Sequence, residues 1–323
     1  MRLRGFLGAG LVVAGAAGCL GATTESGGPV DVTMPGAWTT LAPMPTARQE
    51  VAVATLGGSI YVIGGYGPSA LPMITVEVYD PATNEWTTKA PLPTATHHPA
   101  AAVVNGRLFV IGGYTGGRMS STAVPTVYEY DPSRNAWTTR APLPTPRGAL
   151  AAVVLNGRIH ALGGSDEGAT GAHEVYDVAS NRWTAANPMP TPRDHLAAVA
   201  FQGRVWAVGG RTSFTGQQFD KVEIYDPATN SWQTGPPLPS GRGGLAAVVL
   251  ADRIFVFGGE APFKIFNATE MYEAAGNRWI VKAPMPTPRH GMGAAVAGGR
   301  IYVPGGGREP LFAPSDANEA YTP

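Results

Sequence analysis

Six tryptophans, Trp38, Trp86, Trp137, Trp183, Trp232 and Trp279, recur at intervals of 46 to 51 residues. Each is followed 26 residues later by a glycine pair, beginning at Gly64, Gly112, Gly163, Gly209, Gly258 and Gly305. A repeat of this length, built of apolar runs punctuated by turn residues, predicts an all-β fold, a six-bladed β-propeller of four-stranded antiparallel blades. The chain enters its first repeat on a fourth strand, "AWTTLAP", and reaches its end on a third, "NEAYTP". Neither completes a blade alone. The N-terminal strand is therefore expected to close the ring beside the strand bearing Tyr321, leaving no open sheet edge.

Residues 1–19, "MRLRGFLGAGLVVAGAAGC", join a basic start, an uncharged apolar run too short and glycine-rich for a membrane span, and small residues before Cys19. That is the anatomy of an export signal. "AAGC" resembles a bacterial lipobox, with Ala16 where leucine is usual, which implies lipidation of Cys19 and a cell-envelope lipoprotein. Secretion or periplasmic release after cleavage nearby is the alternative. Cys19 is the sole cysteine, so no disulfide within the chain is possible. Residues 20–35 read as a flexible tether and residues 36–323 as the propeller.

Within a repeat, "GALAAVVL" reads as the first strand, and the "NG" before Arg158 as a hairpin turn with positive φ at both central residues. "RIHALGG" is the second strand, "HEVYD" the third and "NRWTAA" the fourth. First strands are rich in Ala, Val and Gly because space tapers where blades converge, whereas Tyr and Trp fill the wider gaps further out. The 43 glycines and 30 prolines fall at fixed places in the repeat and punctuate strands. Gly-Gly followed by Tyr and Trp at these offsets resembles the kelch repeat over about residues 36–323. With 14% charged residues and zero formal net charge, the chain does not suit nucleic acid or a polybasic membrane role, and membrane contact is expected only through a lipid anchor. A monomer is expected.

From each strand-three tyrosine to the next tryptophan is always seven residues, but from Gly-Gly to that tyrosine varies from 13 to 18, longest in blade two. The varying stretch joins strands two and three and shares a face with the link from strand four to strand one. Variable loops on a rigid scaffold mark that face as functional. It offers Tyr114 and Arg118 in blade two.

The strand-four to strand-one link ends in Arg48, Arg147, Arg193, Arg242 and Arg289 in five blades, and in Thr96 in blade two. Five cations at a channel mouth suggest an anion site. However, Glu77, Glu174, Glu223, Glu270 and Glu319 stand two residues before the strand-three tyrosine in the same five blades, while blade two has Tyr128 there. The joint absence favours structural Arg–Glu pairs crossing the bare glycines within a blade. The two residues after the arginine position differ in every blade, and His97, His98, Asp194, His195 and His290 occur there. These are candidate ligand-binding residues, each weighed against a hydrogen-bonded loop histidine because no ligand spacing links them.

No phosphate loop, paired catalytic carboxylates or zinc spacing occurs, so neither cofactor nor metal is expected. Galactose oxidase has kelch-like repeats, but its chemistry needs a cysteine cross-linked to tyrosine. With Cys19 in the signal region, that activity is excluded. The N-acetylneuraminate epimerases are exported six-bladed kelch enzymes. Resemblance to them implies anomer exchange by an acid/base pair, for which His98, His195, Glu50 or Asp194 could serve. The preferred reading is a non-catalytic propeller binding a protein or glycan at the cell envelope, with the sugar mutarotase or epimerase as the alternative.

Overall fold

The computed structural model describes residues 36–323, so Cys19 and the segments expected to be an export signal and a tether lie outside the described residues. Among the described residues there are six four-stranded antiparallel sheets and no helix. Blade one runs outward from the axis through Ala52–Leu56, Ser59–Ile63, Val76–Asp80 and Glu85–Thr88. Blade six combines Ala295–Ala297, Arg300–Pro304 and Asn318–Thr322 with the N-terminal strand Ala37–Thr40. Trp38 pairs opposite Tyr321, so the first strand closes the ring as the repeat arithmetic requires.

Second strands are covered on both faces by neighbouring sheets. Ile60, Tyr61, Val62 and Ile63 are accordingly buried, whereas five of the six outermost strands expose every residue except the tryptophan, and in the sixth, Arg278–Val281, Ile280 is buried as well. The core is thus a set of slabs between blades, filled by aromatic pairs such as Tyr61 with Tyr130 at 5.9 Å and Trp206 with Tyr272 at 4.9 Å.

The repeated octet "YDPATNEW" and its variants stitch adjacent blades. Its asparagine turns in the left-handed region, at φ from 48° to 58° for Asn84, Asn135, Asn181, Asn230 and Asn277, a conformation asparagine tolerates. Tyr79 donates its hydroxyl proton to Asn84 Oδ1 at 2.8 Å, fixing the turn. The same oxygen accepts the Ala42 N–H at 2.9 Å, and the Trp86 indole donates to Ala42 O at 2.9 Å. One residue of the preceding link is held from both sides. Asn135 with Trp137 holds Ala90, Asn181 with Trp183 holds Ala141, and Asn230 with Trp232 holds Asn187 in the same manner.

At the inner hairpin Asn156 and Gly157 take φ of 52° and 73°, the mirror-image turn that matches strand twist.

Candidate functional site

The five link arginines do not line the channel. Arg48, Arg147, Arg193, Arg242 and Arg289 are each fully buried and contact Glu77, Glu174, Glu223, Glu270 and Glu319 at 2.7, 2.5, 2.8, 2.5 and 2.6 Å. Each pair lies within one blade. Arg48, Arg147, Arg242 and Arg289 also donate to the carbonyl of the first glycine of the Gly-Gly pair. Gly64 and Gly65 have φ of 61° and 87°, and a Cβ on Gly64 would come within 2.5 Å of the Thr96 carbonyl, so glycine is required there. In blade two Tyr128 hydrogen-bonds Thr94 at 3.0 Å in place of the ion pair, and Glu129 turns away to Arg140 at 2.6 Å.

The two residues after each arginine, and after Thr96 in blade two, form the channel mouth. The second of each pair, Glu50, His98, Ala149, His195, Gly244 and Gly291, takes φ between 50° and 64°. Each donates its N–H to the carbonyl of the equivalent residue in the preceding blade at 2.6 to 3.0 Å, and Glu50 N to Gly291 O completes a closed ring of six hydrogen bonds. Non-glycine residues in this conformation cost on the order of 1–3 kcal/mol each and cluster at functional sites. Below the ring, Val51, Pro99, Leu150, Leu196, Leu245 and Met292 form an apolar collar around a cavity of about 90 Å³.

Three ring residues carry chemistry, and they converge. Glu50, His98 and His195 each offer one oxygen or nitrogen within 4.8 Å of the others, a grouping able to hold a metal ion. His98 Nε2 lies 3.2 Å from Glu50 Oε2. His98 Nδ1 meets His97 Nδ1 at 2.5 Å, and His97 Nε2 meets the Tyr66 hydroxyl at 2.9 Å, with the two rings stacked at 3.9 Å. Proton count fixes the direction of this chain. With both rings neutral, Tyr66 donates to His97, His97 to His98, and His98 to the Glu50 carboxylate. His195 Nδ1 donates to Asp194 Oδ1 at 2.6 Å, which leaves its Nε2 as the free nitrogen.

Around these sit more charges. Arg211 binds Glu260 at 2.7 Å and approaches Asp194 at 3.6 Å. His290 Nε2 donates to the Glu309 carbonyl at 3.1 Å, while its Nδ1 faces Glu50 at 3.3 Å and Glu260 at 3.4 Å. Burial alone would lower the His290 pKa, but the Glu50 hydrogen bond and the two carboxylate charges raise it above its ordinary value. Burial pushes His98 well below the imidazole range despite Glu50, and His97 down to about 4. For Glu50, burial acts upward, but His98, His290 and His195 outweigh it and hold the carboxyl well below its usual range. The Tyr114 hydroxyl, buried and donating to Ser165 O at 2.7 Å, is pushed up to about 12.

Of the residues singled out in the sequence, His97, His98, Asp194, His195 and His290 gather at this mouth, and Tyr114 stacks on His97 at 5.3 Å. Arg118 reaches them only through other rings: it lies over Phe312 at 5.0 Å, and Phe312 meets Tyr66 edge-on at 6.3 Å. Glu260, Arg211 and Tyr66 also belong to the site, and none of them is among the residues singled out above. The available signal was position: each directly follows a Gly-Gly pair and bridges back to the link residue of its own blade. The blade-six loop leans over the mouth, with Gln49 donating to Leu311 O at 3.0 Å and Leu311 N donating to Glu260 at 3.3 Å.

A family model described as the KLHDC2/KLHL20/DRC7 Kelch-repeats domain matches residues 34–189 and again 143–306. The chain belongs to the kelch-repeat family. Kelch-like protein 35 of Mus musculus is 30% identical over 130 residues, which is 40% of this chain and 21% of that protein. The match therefore spans about a fifth of this relative's length. A solved structure titled "Structure of YjhT" aligns with a TM-score of 0.74 and 17% identity, over 86% of this chain and 96% of that one. It has the same fold. The kelch resemblance carried by the glycine pairs and tryptophans thus holds for family and architecture.

Proposed function

We propose that this kelch propeller is a non-catalytic binding module that docks a protein partner on its loop face at the bacterial cell envelope. One observation carries the reading. Leu71, Ile74, Met119, Phe263 and Leu311 are the exposed large apolar side chains among the described residues, and all five lie between a second and a third strand, on one face. Met119 is 99% exposed and Phe263 88%. Exposed apolar side chains on one face, with Arg118, Lys264 and Arg308 in the same loops, suit a protein surface better than a glycan. Kelch propellers generally mediate protein binding, in keeping with this. Export and lipidation at Cys19 would hold the face at a membrane surface.

The test uses the full chain as bait in envelope extract. A partner captured by the wild type should be lost with Met119→Asp/Phe263→Asp and kept with Arg158→Glu, which alters the opposite face. Capture insensitive to the double substitution would overturn the reading.

A second reading, anomer exchange on an acidic sugar, is favoured by the Glu50–His98 contact at 3.2 Å. Its difficulty is size. The axial cavity of about 90 Å³ is well below the ~300–1,000 Å³ of small-molecule sites. Accelerated sialic-acid anomer exchange seen by NMR, and lost in His98→Ala, would establish the enzyme instead.

A further inference from the structure

We infer that the axial ring is a divalent-metal site of the zinc class, with Glu50, His98 and His195 as its three protein ligands. The inference does not depend on what the loop face binds. It departs from the expectation of no metal drawn from sequence spacing, and the reason is geometric. The donors are far apart in the chain, but ring closure places them on equivalent positions of blades one, two and four.

Four observations support it. The first is donor type and number: two imidazoles and one carboxylate are a common catalytic zinc set, which keeps a fourth position open. The second is spacing. Ligand atoms about 2.0–2.2 Å from a zinc ion lie roughly 3.3–3.6 Å from each other in a tetrahedral array. Glu50 Oε2 and His98 Nε2 are already 3.2 Å apart, and all three donors fall within 4.8 Å.

The third is the arrangement behind the ligands. Metal-bound histidines donate their other N–H to a carboxylate or similar partner, which sets tautomer and orientation. Asp194 does this for His195 at 2.6 Å. His97 can do it for His98 at 2.5 Å. When His98 Nε2 turns its lone pair to a cation, His98 Nδ1–H donates to His97 Nδ1, and His97 Nε2–H donates to the Tyr66 oxygen. The Tyr66 proton then points to Ser121 Oγ, 3.4 Å away. Both rings change tautomer, and neither gains or loses a proton overall.

The fourth is charge and room. Glu50, Asp194 and Glu260 meet Arg211 and His290, so with His98 and His195 neutral, as ligands must be, negative charge outnumbers positive even with His290 protonated. The cavity of about 90 Å³ below the ring leaves room for an ion with water at its open coordination position.

The experiment is titration of the chelator-stripped full chain with Zn²⁺ by calorimetry and with Co²⁺ by visible absorption. One equivalent per chain is expected, with a Co²⁺ spectrum of low coordination number and nitrogen–oxygen ligation. Glu50→Gln, His98→Ala and His195→Ala should each lower affinity at least ~100-fold, and Asp194→Asn about 10–100-fold with both imidazoles still present. His160→Gln, which removes a buried histidine elsewhere, should bind as wild type. Should a ring variant fail to fold by circular dichroism, ¹⁵N signals of the wild-type imidazoles decide: His98 and His195 must shift together on Zn²⁺ addition. No saturable binding by the wild type overturns the site, as does stoichiometric binding that survives in His98→Ala/His195→Ala.

Discussion

At the scale of single residues, five blades each carry a buried ion pair and one blade has done without. Arg193 and Glu223 show what such a pair is worth. The guanidinium is fully buried and contacts the carboxylate at 2.8 Å, while Thr191 donates to the other oxygen at 2.6 Å. Burial pushes the Arg193 pKa down, and Glu223 acts against that. Removing one partner leaves an uncompensated charge, so Arg193→Ala or Glu223→Gln should cost about 3–5 kcal/mol by urea denaturation. The exposed Arg158–Asp177 pair at 3.5 Å should cost under ~1 kcal/mol when broken. Blade two replaces both partners by Thr96 and Tyr128 with the fold intact. Arg193→Thr/Glu223→Tyr should therefore lie nearer wild type than either single change. A double variant as costly as the sum of its singles would refute that account.

A second buried pair gives a pH dependence. His160 Nδ1 meets His173 Nε2 at 2.9 Å, and His173 Nδ1 donates to Asn187 O at 3.2 Å, so both rings fit the neutral form. Burial lowers His160 to about 4 and His173 to about 3, each helped by a neighbouring positive charge. Because these folded values lie below the unfolded ~6.5, the unfolded chain binds more protons between them. The pair's contribution is fully present above about pH 6.5 and is lost as pH falls towards the folded values, by at most ~1.4 kcal/mol per pH unit per ring. Urea midpoints at pH 7.5 and 5.5 should fall less steeply in His160→Gln/His173→Gln than in wild type. Equal slopes would show that the pair is not buried neutral.

At the scale of elements, strands and turns were legible because the repeat states them six times. The glycine pairs, the left-handed asparagines and the outer tryptophans are each tied to one backbone requirement, and the sequence repeats wherever the requirement does. The axial site was legible only in part, for the opposite reason. His97, His98, Asp194, His195 and His290 stood out as the positions where copies disagree. Their meeting with Glu50 depends on how six inner strands converge, and no local pattern records that. Glu260 and Arg211 hid behind Gly-Gly pairs whose constancy drew attention away from the next residue. Loop length, however, is readable and testable. The blade-two loop carries a small hairpin, Tyr114–Thr115 with Thr122–Ala123, and presents Met119. Replacing residues 116–121 by a two-residue turn should leave the unfolding free energy from urea denaturation within ~0.5 kcal/mol of wild type, since a surface loop of this kind adds little to the core. The same variant should weaken partner capture if the loop face is the docking face. Full capture with an unchanged fold would exclude the blade-two loop from the interface.

At the scale of the whole molecule, the ring is closed twice. On the outside, Ala37–Thr40 pairs with Asn318–Thr322, the Leu41 N–H donates to Asn318 O at 2.9 Å, and Trp38 packs on Tyr321 at 5.2 Å and edge-on to Phe257 at 5.6 Å. On the inside, Glu50 N donates to Gly291 O at 2.6 Å, joining blades one and six within the axial hydrogen-bonded ring. The outer closure holds the inner one in place, because both fix the same pair of blades. Trp38→Ala should remove the indole hydrogen bond to Ala283 O along with its packing, at about 3–5 kcal/mol. Deleting residues 36–41 goes further, since it leaves a row of backbone groups on Asn318–Thr322 unpaired at an open edge. That variant should show a lower urea midpoint than Trp38→Ala and associate on size-exclusion chromatography. It should also bind Zn²⁺ more weakly, although residues 36–41 supply no ligand, because blade one carries Glu50 and loses its fixed position relative to blade six. A deletion variant that stays monomeric with a wild-type midpoint would show that the axial hydrogen bonds alone close the propeller.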